Sequence, residues 1–316
     1  MFSRRLLRIK VLQTLYSYHK ADGITFTAAE KNLLHSLQKS YALYHLLIML
    51  LIDVADYAES KIEQAMHKHI PSFDDLHPNT RFVDNHLLKQ LRNNDQFRKF
   101  LGSYPLSWRD YPEIIRNLYL LILDSEFYQE YMNAGNPDYR SDKKLLERIY
   151  LDLVMNYEDL YLNLEEQSIF WIDDVDFVIK MIVKTLKKFH ADNPQGGELL
   201  PMFHDRDDLT YCKKLLRSTL KNGTEYLKLI EASANNWELE RIAFTDNLIL
   251  QLAISEAIEF QSIPTKVTIN EFIEIAKVYS TEKSSQFING LLDNIINRLK
   301  TEGRIVKSGR GLIGEV

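Results

Sequence analysis

Three arginines stand close together near the start of the chain, at positions 4, 5 and 8. With Lys10 and Lys20 they make residues 1–20 purely basic, since no Asp or Glu occurs there. On a helix advancing about 100° per residue, Arg4, Arg5 and Arg8 fall within an arc of about 100°, with Tyr16 near the same side. A guanidinium keeps its charge at any working pH, and its planar donors match phosphate oxygens. The net charge is −5, so the chain beyond residue 20 carries −10 once the five cations are subtracted. A basic end on an acidic body suits a local phosphate contact, not a whole-surface one.

Other clusters carry less. His67 and His69 are two apart, so a helix points them to different faces. With His77 and His86 they bring no carboxylate or cysteine at the spacing of a known metal site, and no metal is expected. Asp173, Asp174 and Asp176 lie beside Trp171. Paired carboxylates can do acid–base work, but this run reads first as a helix start or a solvated face. The single cysteine, Cys212, excludes an internal disulfide and a thiolate metal cage. It reads as a core residue and suits a reducing, cytoplasmic compartment. No glycine-rich phosphate loop occurs, which removes the usual nucleotide-enzyme signatures, and no cofactor is expected.

The elements that must position the arginines are helices. Only 11 Gly and 8 Pro occur among 316 residues, and residues 24–70, 138–193, 224–263 and 265–289 contain neither. Such stretches, rich in Leu, Ile, Lys and Glu, read as helical, and no regular series of short β-branched segments appears. The predicted fold class is all-α. With 45% hydrophobic and 26% charged residues, the chain has an ordinary globular balance and can bury a core without staples. The longest apolar run, Leu46–Ile52, is too short for the ~20 residues that a bilayer demands, and no signal peptide is expected.

The first helix, roughly 3–20, spreads Leu6, Leu7, Ile9, Val11, Leu12 and Leu15 nearly all round, which predicts enclosure by other helices. Loops are predicted at SYPLSWRDYPE, at NAGNPDY and most strongly at ADNPQGGELLP, residues 191–201. Thr268 and Glu271 have capping-box spacing, and Ser280 and Thr281 suit the start of a last helix. The tail 301–316 is glycine-rich and expected to be flexible.

Residues 237–292 carry a more specific pattern. Trp237, Leu239-Glu240-Arg241, Asp246 before Leu248-Ile249-Leu250, Ala253 and Glu256 are followed by Ile263-Pro264, Lys266-Val267 and Ile269-Asn270-Glu271. Then come Glu274, Ala276-Lys277, Glu282-Lys283-Ser284 and Phe287-Ile288-Asn289-Gly290. This block resembles the C-terminal half of the NusB family, without a gap. Arg4-Arg5-Leu6-Leu7-Arg8 with Val11, Gln13, Leu15 and Tyr16 looks like the family's arginine-rich first helix, and residues 208–240 look like its third helix running into its fourth. The implied architecture is a NusB-like helical bundle with a large helical insertion. Residues 1–44 and 206–300 form the bundle, and 45–205 form an insertion of unknown role.

The resemblance implies a protein without catalysis. It implies binding of boxA-type single-stranded RNA together with NusE, a small-subunit ribosomal protein, to help RNA polymerase read through terminators in ribosomal RNA operons. On that reading Arg4, Arg5 and Arg8 meet phosphate, Tyr16 and Phe287 offer stacking surfaces, and Gln13, Gln286 and Asn289 reach base edges. Lys283 and Gln286 stand at the start of the last helix, whose free backbone donors favour anions. Lys283 replaces a common acid and Gln286 a common lysine, so the local charge pattern departs from the family's. Asp246 could cap a helix or face a partner, and Glu256 is a second partner-facing candidate. The competing readings are a helical protein-interaction scaffold and an accessory factor in ribosomal RNA modification or maturation, with RNA binding lost or altered.

Overall fold

A computed structural model describes residues 2–135, 138–205, 207–234 and 242–314. Trp237 and Leu239-Glu240-Arg241 lie outside the described residues. The fold is all-α. In chain order the helices are α1 (Arg4–Lys20), α2 (Phe26–Met66), α3 (Phe73–Leu76), α4 (His86–Asn93), α5 (Asp95–Ser103), α6 (Pro112–Asp124) and α7 (Glu126–Asn133). They continue with α8 (Tyr139–Arg148), α9 (Glu158–Gln167), α10 (Val175–Lys188), α11 (Asp207–Ser233), α12 (Phe244–Glu259), α13 (Thr265–Tyr279) and α14 (Glu282–Thr301). Among the described residues the only β pairing is an isolated bridge between Phe2 and Phe203. The chain divides into two compact units, residues 1–36 with 202–316 and residues 37–201, against expected boundaries at 44/45 and 205/206.

In the first unit α11, α12, α13 and α14 pack in sequence, and α1 lies against α11, α12 and α13. Leu7, Val11 and Leu15 of α1 are fully buried, as are Leu216, Ile249, Leu252, Phe272 and Leu292. Each such side chain contributes ~1.5–3 kcal/mol. Every residue of α12 from Leu248 to Ala257 is buried, which explains why it is apolar on all sides. Cys212 is buried here, where desolvation pushes its thiol up to about 11.

Two local expectations change in this unit. Pro264 is the N-cap of α13, so the helix is already under way at Thr268, whose N–H bonds Pro264 O at 3.1 Å. No capping box forms there. The Thr268 hydroxyl is released to donate to Glu256 Oε1 at 2.8 Å, and Glu271 turns to Arg5. The tail does not hang free either. Ser308 N–H reaches Gln261 O at 3.0 Å, and Lys307 Nζ donates to Ala257 O and Phe260 O at 2.8 and 3.0 Å.

The second unit is built on the remainder of α2. Leu43, Leu47, Leu50, Leu51 and Val54 are fully buried there. By length and composition α2 would pass for a membrane span; here its apolar face is core. Three aromatic side chains donate to its carbonyls: Trp171 to Lys39 O at 2.8 Å, Trp108 to Leu46 O at 2.9 Å and Tyr150 to Leu47 O at 2.9 Å. The predicted loop 191–201 is pinned by side-chain amides, Gln90 on His190 O and Asn193 O and Asn94 on Gln195 O and Gly197 O. Gly196 there has φ +76°, and a Cβ would meet the Phe189 ring at 2.0 Å, so only glycine fits. Asp174 is the buried N-cap of α10 and accepts from the Ser40 hydroxyl, so the acidic run is a helix start.

Candidate nucleic-acid interface

The arginines stand at the wrong end of a helix for their charge. The N-terminus of α1 is the positive pole of its dipole, and the first turn holds no acid. Ser3 caps it, its Oγ accepting from Leu6 N–H at 3.2 Å. The missing negative charge comes from distant helices. Arg4 Nε meets Asp208 Oδ1 of α11 at 2.7 Å, with its guanidinium 4.3 Å above the Tyr211 ring. Arg5 forms a two-pronged pair with Glu271 of α13, both bonds 2.9 Å. Arg8 forms another with Glu256 of α12, at 2.7 and 2.8 Å, and lies 3.5 Å from Glu271.

These three pairs differ in burial. Arg5 is exposed and Arg4 half-buried, whereas Arg8 is 2% and Glu256 0% exposed. Burial pulls the Arg8 pKa down, but Glu256, Tyr211 and Glu271 outweigh it and leave it above the usual arginine range. Tyr211 also donates its hydroxyl to Glu256, and its own pKa is pushed far up by burial and by that carboxylate. The Arg5 hydrogen bond, followed by the charges of Arg8 and Arg5, holds the Glu271 carboxyl below its ordinary value against the opposing effect of burial.

Three sequence expectations are corrected by this geometry. Arg8 does not offer its charge to solvent, because its guanidinium is consumed inside the protein. Glu256 does not face a partner, because Arg8, Tyr211 and Thr268 saturate it in the core. Asp246 is likewise buried, at 4% exposure, in the first turn of α12, and Ala243 rather than Asp246 is the cap.

The exposed edge of α1 continues toward its C-terminal end. Tyr16 is 43% exposed and meets Phe244, itself 37% exposed, edge to face at 5.4 Å. Lys20 Nζ sits 4.3 Å over the Phe244 ring and 5.9 Å over Tyr16. His19 joins the cluster 6.2 Å from Phe244, its pKa lowered by burial. Half-exposed rings beside a cation make a surface on which an unstacked base can lie. Phe244 was not singled out in the sequence, where nothing distinguishes it from a core aromatic. Gln13, between the two ends of α1, is half-buried.

On α14, Lys283, Gln286 and Asn289 are exposed at three-residue spacing and share one face, while Phe287 is half-buried between them. The structure thus joins Tyr16 to Phe244 and Arg5 and Arg8 to Glu271, and it keeps the α14 set on a helix that packs against α11, α12 and α13. A groove of about 770 Å³ runs beside the start of α1, lined by Ser3, Arg4, Arg5, Ser262, Glu271 and Arg310 among others. A second basic face, on α11, spends its cations internally: Lys213 and Arg217 on Glu30, and Lys214 on Glu259.

The profile of the NusB family matches residues 169–297, a span that excludes α1. The "Transcription antitermination protein NusB" of Salinibacter ruber is 44% identical over 140 residues, covering 42% of this chain and 88% of that protein. The protein of the same name from Natranaerobius thermophilus is 43% identical over 113 residues, 35% of this chain and 81% of the relative. That of Chloroherpeton thalassium is 46% identical over 100 residues, 32% of this chain and 47% of the relative. With most of two such relatives aligned at this level, and with an all-α fold, the chain belongs to the NusB family.

Proposed function

We propose that this protein is an RNA-binding transcription antitermination factor. It binds boxA-type single-stranded RNA together with NusE and helps RNA polymerase read through terminators in ribosomal RNA operons. The observation that carries the reading is the solvent-facing edge of α1: Arg4 and Arg5 at one end, and Tyr16 on Phe244 under Lys20 at the other. Charge at one end holds the backbone, and rings at the other take bases. Tyr16 lies twelve residues beyond Arg4, about 18 Å along the helix, a span that takes several nucleotides. Lys283, Gln286, Phe287 and Asn289 extend the same function on α14, and Gln13 on α1. Arg8 supports it from inside, by fixing α1 on α12.

The test is anisotropy of a labelled boxA-type RNA, with and without NusE, across a salt series. Binding that weakens linearly in log salt is expected. No detectable RNA binding in either condition overturns the reading. One observation favours a second one: all three arginines of α1 are already matched by acids of the same chain. A helical protein-interaction scaffold, or an accessory factor in ribosomal RNA modification or maturation, that has lost RNA binding would leave the RNA anisotropy unchanged in both conditions, yet co-elute with NusE in gel filtration.

A further inference from the structure

The segment after α14 is held against the C-terminal end of α12 by contacts its sequence does not advertise. Gly303, at φ +69°, turns the chain back. Lys307 Nζ then donates to Ala257 O and Phe260 O at 2.8 and 3.0 Å, carbonyls at the C-terminal end of α12 where a cation is also favoured by the dipole. Ser308 N–H bonds Gln261 O at 3.0 Å. Gly311 lies so close to the same peptide that a Cβ would come within 1.9 Å of Gln261 O. The strap is therefore seated at residues 307, 308 and 311, and only glycine fits the last of these.

Arg310, exposed like its neighbours Ser308 and Gly309, lines the groove beside Ser3, Arg4 and Arg5. Its charge differs from theirs in one respect. Arg4 is matched by Asp208, Arg5 by Glu271 and Arg8 by Glu256, so three cations face three acids. Arg310 has no ion pair among the described residues. Among the described residues lining the groove, it is the cation for which no acid is matched. Ser3 and Ser262 line the same groove. Ser3 Oγ accepts from Leu6 N–H, which leaves its own proton to donate.

We propose that this strap is part of the RNA interface, and that Arg310 supplies the uncompensated guanidinium that takes a backbone phosphate of single-stranded RNA in the groove beside α1. The proposal rests on the RNA-binding reading above. A planar guanidinium next to hydroxyl donors matches the non-bridging oxygens of one phosphate. The paired Arg4 and Arg5 then act as the wall that orients it, each with donors left beyond those its acid uses.

The experiment uses the full chain and a fluorescein-labelled boxA-type single-stranded RNA, with anisotropy read across a salt series and thermal unfolding followed by circular dichroism. Arg310→Gln should weaken binding several-fold and flatten the log–log salt slope by about 0.7, the share of one phosphate contact on a single strand. Its unfolding midpoint should stay that of the natural protein. Gly311→Val, which unseats the strap, should shift affinity and slope in the same direction. If Arg310→Gln keeps natural affinity and slope while Arg5→Glu loses binding, the strap proposal is overturned and the RNA-binding reading stands. An acidic protein as the true occupant would give that same result. If the unaltered chain binds no RNA, both fall together.

Discussion

Arg5 and Arg8 carry the same side chain and the same two-pronged bond to a glutamate, yet burial separates what they do. The Arg8–Glu256 pair is sealed in the core. Removing one partner of such a pair leaves an uncompensated buried charge, which typically costs ~3–5 kcal/mol. Glu256→Ala should therefore lower stability to urea by about that amount; a loss below about 1 kcal/mol would mean that solvent reaches Arg8. Arg5 is exposed, and pairs of that kind contribute roughly 0–1 kcal/mol. Arg5→Gln should leave the urea midpoint nearly unchanged while weakening RNA binding and flattening its salt slope, as read by anisotropy. Sequence alone gives Arg4, Arg5 and Arg8 equal weight, because their partners lie far away in the chain, 266 positions for Arg5 and 248 for Arg8. No local pattern reports a contact of that range.

At the scale of elements, α1 and α2 make separate predictions. The ring pair Tyr16–Phe244 joins the end of α1 to the start of α12. Phe244→Ala should weaken RNA binding by ~1–3 kcal/mol per stacked base and leave the salt slope unchanged, since no charge is lost. A slope change with no loss of affinity would contradict a stacking role. On α2, His45 is 1% exposed, its Nδ1 bonded to Tyr41 O at 2.9 Å and its ring stacked on Phe100 at 3.6 Å. Burial lowers its pKa to about 4 from the ordinary 6.5, partly opposed by the Tyr41 bond. Between those values the unfolded chain binds a proton that the folded one refuses, so stability rises with pH across that window and is lost as pH falls through it. The shift corresponds to about 3 kcal/mol. Urea midpoints from pH 4 to 7 should show this dependence, and His45→Phe should remove it; an unchanged pH profile in the variant would assign the acid sensitivity elsewhere.

At the scale of the whole molecule, the chain carries two cores. Trp108, 1% exposed and bonded to Leu46 O, sits in the unit of residues 37–201, whereas every RNA-facing residue proposed above belongs to the other unit. Trp108→Ala should cost ~3–5 kcal/mol of stability. RNA affinity at low temperature should stay within about a factor of two, a free-energy change under ~0.5 kcal/mol. A parallel loss of RNA affinity would show that the inserted unit contributes to the interface.

Helix content, the breakers between helices, the burial of Cys212 and the NusB-like C-terminal block were all legible in the order of residues, because each rests on local spacing: apolar periodicity, the missing N–H of proline, a motif without gaps. The spacing of the α14 set was legible for the same reason. What only the tertiary structure decided is which of those residues meet solvent. It buried Arg8, Asp246 and Glu256, exposed Phe244 beside Tyr16, converted the expected capping box at Thr268 into a hydrogen bond to Glu256, and seated a glycine-rich tail so that Arg310 enters the groove of α1. Exposure and ion pairing depend on which distant helices pack together. That is a property of the closed fold and has no local signature along the chain.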